Sequence, residues 1–292
     1  MIACDLGSNS LRIVEIDCVS GQRIKEFERM VKTADGLHES GIINEKAILR
    51  ILLAIGEAQE EFDLSSAYAV TTAAMRLASN GAEVLERIAD ETGLRFIMIE
   101  AQEEAYLTDV AVAWRLEKLG YHDGYLLMDL GGGSTEISIA GVSQSFDVGI
   151  VTMAQKYGSA QGVRENLHAE LSALKTYIQG FEKPSMFVAT AGTATTIAAF
   201  KQELDYRHYD VEKVNGTLLS LKDLDVALEK LLEMGVSERE RWVGVGRDDL
   251  IVAGVLILKY IMIAAGFDIM IVIDDGLREG LAMEKCKALK QL

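Results

Sequence analysis

The 292-residue chain contains a single proline, Pro184, and no stretch rich in proline or serine. With no flexible linker of that kind, any domains must meet at the ends of regular elements. Cysteine is scarce as well. Cys4, Cys18 and Cys286 are odd in number, lie in mostly apolar surroundings and show no C-x-x-C spacing. A disulfide framework or a zinc site is therefore not expected, and the thiols read as buried and inert. The four histidines, His38, His122, His168 and His208, lack metal-ligand spacing, and no Gly-x-Ser-x-Gly elbow is present. The N-terminus has no basic region ahead of Asp5, unlike a signal peptide. The most apolar stretch, Leu250 to Phe267, carries Lys259 near its centre and two glycines, which suits a buried helix better than a membrane span. Cations are outnumbered, 29 Lys and Arg against 45 Asp and Glu, for a net charge of −16. Such a chain repels nucleic acid and anionic membrane unless its few cations are gathered in one place. The expectation is a reduced, cytoplasmic, soluble protein with neither nucleic acid nor membrane as partner; a homodimer stays open.

What is present is ordinary globular composition, 49% hydrophobic and 25% charged, enough to bury a sizeable core. Ile2–Gly7 and Leu11–Ile16 read as strands joined by the Gly7–Ser10 turn, and Arg23–Val31 as a third. Asn44 is placed to cap a helix carrying Ile48, Leu52, Ile55 and Phe62 at helical spacing. A strand at Ala67–Thr71, a helix at Asn80–Thr92, a strand at Phe96–Ile99 and a helix at Ala101–Leu119 follow. The pattern then restarts, with strands at Tyr125–Leu130, Thr135–Ala140 and Gln144–Val148. Helices are expected at Val151–Tyr157 and Val163–Phe181, a strand at Met186–Ala189, and helices at Thr193–Gln202, Leu221–Met234 and Asp249–Ala265. Ile269–Ile273 is the last strand and Gly276–Leu289 the last helix.

The order βββαβαβα thus occurs twice, with extra helices in the second copy. Asp5-Leu6-Gly7-Ser8 resembles Asp129-Leu130-Gly131-Gly132-Gly133-Ser134 at an offset of 124 residues (129 − 5), which reads as an internal duplication. The expectation is an α/β chain of two domains, 1–122 and 123–292, each a mixed five-stranded sheet with helices, facing each other across a cleft. The last helix, about 276–290, is placed to pack back on the first domain.

Each Asp-x-Gly hairpin sets a carboxylate at a strand end, beside a turn whose glycines let backbone N–H groups approach an anion. Two of them make a phosphate clamp. The run from Thr190 through Gly192 and Thr193 to Thr196 follows a strand and opens a helix, so it serves either an anion or simple capping by Thr193. Asp275 is open in the same way, as N-cap or ligand contact, with Arg278 and Glu279 as a structural pair or as site residues. Carboxylates are the candidate catalysts. Glu136 lies on the strand leaving the second hairpin, and Glu103-Glu104 starts a helix after a strand, where the macrodipole also favours glutamate. Phosphoryl transfer to water needs a base, a divalent cation and fixed positive charge; Glu104, Glu136 and Asp129 have the chemistry for the first two.

These stretches resemble the exopolyphosphatase / guanosine pentaphosphate phosphatase family of the actin-like ATPase superfamily. Ile2 to Arg12, Val70 to Arg76, Glu103-Glu104-Ala105, Asp129 to Glu136 and Asp147-Val148-Gly149 match in order. So do Ala191 to Thr196, Val214-Asn215-Gly216, Arg247-Asp248-Asp249 and Asp275 to Leu281. The resemblance spans nearly the whole chain and implies duplicated ribonuclease H-like (actin-like) domains. It implies removal of terminal phosphates from inorganic polyphosphate, or of the 5′ terminal phosphate of guanosine pentaphosphate, with Mg2+ or another divalent cation. Glu104 then matches the family's catalytic base and Glu136 its second catalytic glutamate, which also holds metal together with Asp129 and Asp5. Arg12, Arg76 and Arg247 match arginines that contact phosphate. The remaining phosphate contacts implied are Ser8, Asn9 and Ser10, then Gly131, Gly132, Gly133, Ser134 and Thr135, then Gly192 and Thr193. Two departures stand out: Glu100-Ala101 replaces the usual Ser-Gly before the glutamate pair, and Thr152 stands where an arginine is common. A non-hydrolysing actin-like nucleotide-binding protein is opposed by the intact Glu104, Glu136 and Asp129. A sugar or acetate kinase is opposed by the poorer match of its phosphate segments.

Overall fold

The computed structural model of the chain describes residues 1–246 and 250–290. Its first sheet has five strands, β1 (Ile2–Leu6), β2 (Ser10–Ile16), β3 (Arg23–Met30), β4 (Tyr68–Thr71) and β5 (Phe96–Met98), in the order β3-β2-β1-β4-β5. The first three are antiparallel neighbours, and β1, β4 and β5 run parallel. The second sheet has β6 (Tyr125–Leu130), β7 (Thr135–Ile139), β8 (Val142–Phe146), β9 (Met186–Thr190), β10 (Thr217–Ser220) and β11 (Ile269–Val272), in the order β10-β11-β9-β6-β7-β8. Read from β8, the series β8-β7-β6-β9-β11 repeats the first sheet strand for strand, with the same directions. The duplication read in the letters is therefore a duplication of topology.

Two compact units result, one made of Met1–Ala111 with Gly276–Leu292 and the other of Val112–Asp275. The chain passes between them twice, inside the helix Ala101–Lys118 and just before the helix Leu277–Lys290; the sequence reading puts the first passage at 122/123 and likewise returns the last helix to the first domain. The second sheet also has a sixth strand that the five-strand expectation omits. β10 is a four-residue edge strand pairing antiparallel with β11, and Gly216, at φ 83°, makes the turn into it.

Strand alternation builds the core. In the second unit Leu126, Met128 and Leu130 join Ile137, Ile139 and Phe187 on one face of the sheet. Leu127, Val188 and Ile271 join Val112 and Leu116 on the other. The apolar stretch near residue 250 becomes the helix Ile251–Ala264, buried along most of its length, as befits a helix apolar all round. Among the described residues no helix is long and apolar enough to cross a membrane. Asn44 caps the helix Glu45–Gln59 through a bond from the Ala47 N–H. The expected helix 163–181 is two, Ala160–Glu170 and Ser172–Gln179. At the break the Ser172 hydroxyl donates to the Ala169 carbonyl at 2.8 Å, a local bond that competes with the helical ladder.

The largest correction concerns cysteine. Cys18, in the turn after β2, and Cys286, in the last helix, form a disulfide with Cα atoms 5.3 Å apart. Only Cys4 is a free, buried thiol, pushed up to about 12 by burial and then by the neighbouring Asp5 carboxylate. The helix Leu277–Lys290 packs against β1 and β2. It is held by a ring of alternating charges, Arg23–Glu26, Glu26–Arg278, Arg278–Glu279 and Glu279–Arg23, at 2.7 to 3.2 Å. A Cβ on Gly280 would lie 1.8 Å from the Leu107 carbonyl oxygen, so this face of the helix admits only glycine.

Candidate active site

The two hairpins close alike. The Gly7 N–H donates to the Ser10 carbonyl at 3.0 Å, and the Gly131 N–H to the Ser134 carbonyl at 3.0 Å. Each turn is braced from outside. Val31, Lys32 and Ala34 donate N–H bonds to Asn9 and Ser8, and Ile150, Val151 and Thr152 donate to Gly131 and Gly132. A Cβ on Gly149 would meet the Gly132 carbonyl oxygen at 2.3 Å, which explains a glycine there. Ser8, Ser10, Ser134 and Thr135 are buried, and the Thr135 hydroxyl is committed to the Val148 carbonyl. The Thr135 hydroxyl thus stabilises its loop, and the glycines of both turns let backbone N–H groups approach an anion.

Register assigns the charged residues to equivalent places. Asp5 faces Arg12 across β1 and β2, and Arg12 faces Glu28 across β2 and β3. In the second sheet Asp129 faces Glu136, and Glu136 faces Ser145. Arg12 and Glu136 are the same position, 124 residues apart (136 − 12), carrying opposite charge. The Arg12 Nε donates to Glu28 at 3.1 Å, whereas the Ser145 hydroxyl donates to Glu136 at 2.7 Å. A neutral donor satisfies a carboxylate lone pair without cancelling its charge. Glu136 is 3% exposed and lies across the strand pair from Asp129.

Arg76, on the short helix Ala73–Leu77, donates to Glu104 at 3.0 Å and to the Ile99 carbonyl at 2.7 Å. Both side chains are largely buried, so the pair fixes the glutamate in place. Its neighbour Glu103 is exposed, as is Glu100, so the structure separates the two glutamates of the pair. Of the later motifs, Gly192 and Thr193 lie in the first turn of the helix Ala191–Lys201. Thr193 is 2% exposed, and its hydroxyl lies 2.3 Å from where a Cβ on Gly254 would be, directed at the neighbouring helix. Thr152 accepts from the Gly149 N–H at 2.8 Å and so serves as a local cap. Asp275, 1% exposed, binds Arg115 at 2.6 Å, and Arg278 with Glu279 belongs to the ionic ring, which favours the structural reading of both. Arg247 lies outside the described residues.

The sequence reading missed Glu28, Ser145 and Arg115. Cross-strand partners follow from register, which is set only once the hairpins close.

Among the described residues, no three His, Cys, Asp or Glu side chains form a group able to hold a metal ion. Mg2+ is commonly held by one or two carboxylates with water and substrate phosphate completing the shell. Asp129 and Glu136, facing each other in register, fit that mode. Asp5 faces a guanidinium instead, so its sheet offers no matching carboxylate pair.

Two repeated mixed sheets, each led by an Asp-bearing hairpin, define an α/β chain of the actin-like type. The model of the Ppx/GppA phosphatase family matches residues 12–289, and the chain belongs to that family. It is 28% identical to Exopolyphosphatase 1 of Mycobacterium leprae, covering 96% of this chain and 88% of that one. It is 23% identical to the bifunctional 3-dehydroquinate synthase/phosphatase of Fusobacterium nucleatum over 96% of this chain, and spans 46% of that protein's length. The crystal structure of the Aquifex aeolicus Ppx/GppA family member is 27% identical, with a TM-score of 0.75, covering 99% of this chain and 97% of that one.

Proposed function

We propose that the chain is a magnesium-dependent exopolyphosphatase that removes terminal phosphate from linear inorganic polyphosphate. The observation that carries this is the second hairpin, where a glycine turn braced by three N–H bonds adjoins Asp129 and the buried Glu136 in register. A structural turn needs no carboxylate pair at its mouth, whereas phosphoryl transfer needs a cation site beside N–H donors. Asp129 and Glu136 would hold the Mg2+, which when bound supplies charge neutralisation at the phosphate oxygens. Glu104 takes the proton from the attacking water while the terminal P–O–P bridge breaks and the shortened chain leaves with the bridging oxygen. Arg76 keeps the glutamate aimed. Arg12 meets phosphate oxygens after exchanging Glu28 for them.

The test measures orthophosphate release from long-chain polyphosphate and from guanosine pentaphosphate side by side, with Mg2+ and with a chelator. Mg2+-dependent release from polyphosphate is expected. Release from guanosine pentaphosphate alone would overturn the substrate assignment, and release from neither would overturn the reading as a whole.

A further inference from the structure

Lys32, two residues after β3, has φ of 48°. This left-handed region disfavours residues with a Cβ, and lysine has no short polar side chain to bond its own backbone there. The fold demands the conformation. The Lys32 N–H donates to the Asn9 carbonyl at 2.9 Å and the Val31 N–H to the same oxygen at 3.0 Å. On the other side, the Lys32 carbonyl accepts from Arg50 at 3.1 Å. Glycine would satisfy all of these bonds without the Cβ penalty, as Gly36 does at φ 68° four residues on. Backbone geometry therefore accounts for the turn and leaves the lysine side chain unexplained.

That side chain is half-buried, yet its ammonium takes part in no hydrogen bond or ion pair among the described residues. Nearby cations behave otherwise: Arg12 pairs with Glu28, Arg29 with Glu57 and Arg50 with Asp35. What sets this ammonium apart is that its own backbone is bonded to the Ser8–Ser10 turn. Arg12 must give up a carboxylate before it can meet an anion, and Lys32 need not.

We infer that Lys32 binds phosphoryl oxygens of the substrate at the first hairpin, the backbone strain being retained because a cation is required at that place. The inference rests on the polyphosphate reading above and adds a binding residue to it. The experiment compares wild type with Lys32→Gly, Lys32→Gln and Lys32→Arg. Binding of inorganic tripolyphosphate is titrated calorimetrically without Mg2+, alongside Tm and steady-state kinetics on long-chain polyphosphate. Lys32→Gln and Lys32→Gly should weaken tripolyphosphate binding about tenfold, the loss of one charge-assisted contact. Most of the kinetic loss should fall in KM, and Lys32→Arg should restore most of the binding. Lys32→Gly should at the same time keep or raise Tm, an opposition of sign that a purely structural lysine would not produce. Wild-type binding in Lys32→Gln, or a Tm that falls together with binding in Lys32→Gly, overturns the assignment. Failure of the wild type to bind or cleave polyphosphate overturns the functional reading itself, and this inference with it.

Discussion

Cutting the Cys18–Cys286 bridge should lower stability by an amount set by the length of chain it closes. The two cysteines are 268 residues apart. In the chain-entropy description, a loop of that length removes about 19 cal/mol/K from the unfolded ensemble, or about 5–6 kcal/mol at 25 °C. Unfolding entropy of about 2.1 cal/mol/K per residue over 292 residues converts this to a fall in Tm of about 9 °C. The reduced protein should still fold, because the ring of Arg23, Glu26, Arg278 and Glu279 and the packing on β1 and β2 hold the last helix independently. Alkylation in denaturant should label one cysteine, Cys4, before reduction and three after it. Scanning calorimetry with and without a dithiol should give the Tm difference, and Cys286→Ser should melt with the reduced wild type. Three labels before reduction, or a Tm indifferent to the dithiol while the bridge is demonstrably cut, would refute the reasoning.

Glu104→Gln should lower polyphosphate turnover by about 10²-fold or more, the usual loss on removing a general base, and steady-state phosphate release checks it. Arg115→Met removes the guanidinium bound to the buried Asp275 carboxylate and should cost about 3–5 kcal/mol, read from urea denaturation. Gly280→Ala drives a methyl into the Leu107 carbonyl and should cost about 1–3 kcal/mol, seen as a lower Tm with unchanged folding cooperativity. Hydrogen bonds from Lys156 and then Tyr157 hold Glu170 below its ordinary value of 4.5. Its contribution is complete above that value and is lost as pH falls through the depressed one. The urea-midpoint gap between wild type and Glu170→Gln should therefore be present at pH 7 and close on acidification below pH 4.5; a gap that persists there would contradict the pairing.

Features written in adjacent letters were legible. Asn44 is a cap three residues before the N–H it accepts, and the repeated Asp-x-Gly turns announce both sheets because a tight hairpin is a local event. The family motifs likewise placed Glu104 and Glu136 at element ends before any geometry was known. Features that need distant residues were not legible. Cys18 and Cys286 come from opposite ends of the chain, and their apolar neighbours read equally well as a reason for burial. Ser145 and Glu28 are ordinary polar strand residues until register sets them against Glu136 and Arg12. β10 is short and half-exposed, with no run of β-branched residues to mark it. Lys32 gives no sign of its backbone conformation, since lysine is a poor predictor of a left-handed turn.

The double passage of the chain also dictates an order of assembly during synthesis. The second unit, Val112–Asp275, is one uninterrupted segment and can fold as soon as it clears the ribosome. The first cannot, because the helix that covers β1 and β2 is encoded after all of the second. At roughly 5–20 residues per second, translation of the intervening segment keeps that sheet waiting for about 8–30 s. For that interval the buried faces of β1 and β2 are a liability in the crowded cell, and a nascent-chain chaperone has a defined window in which to shield them.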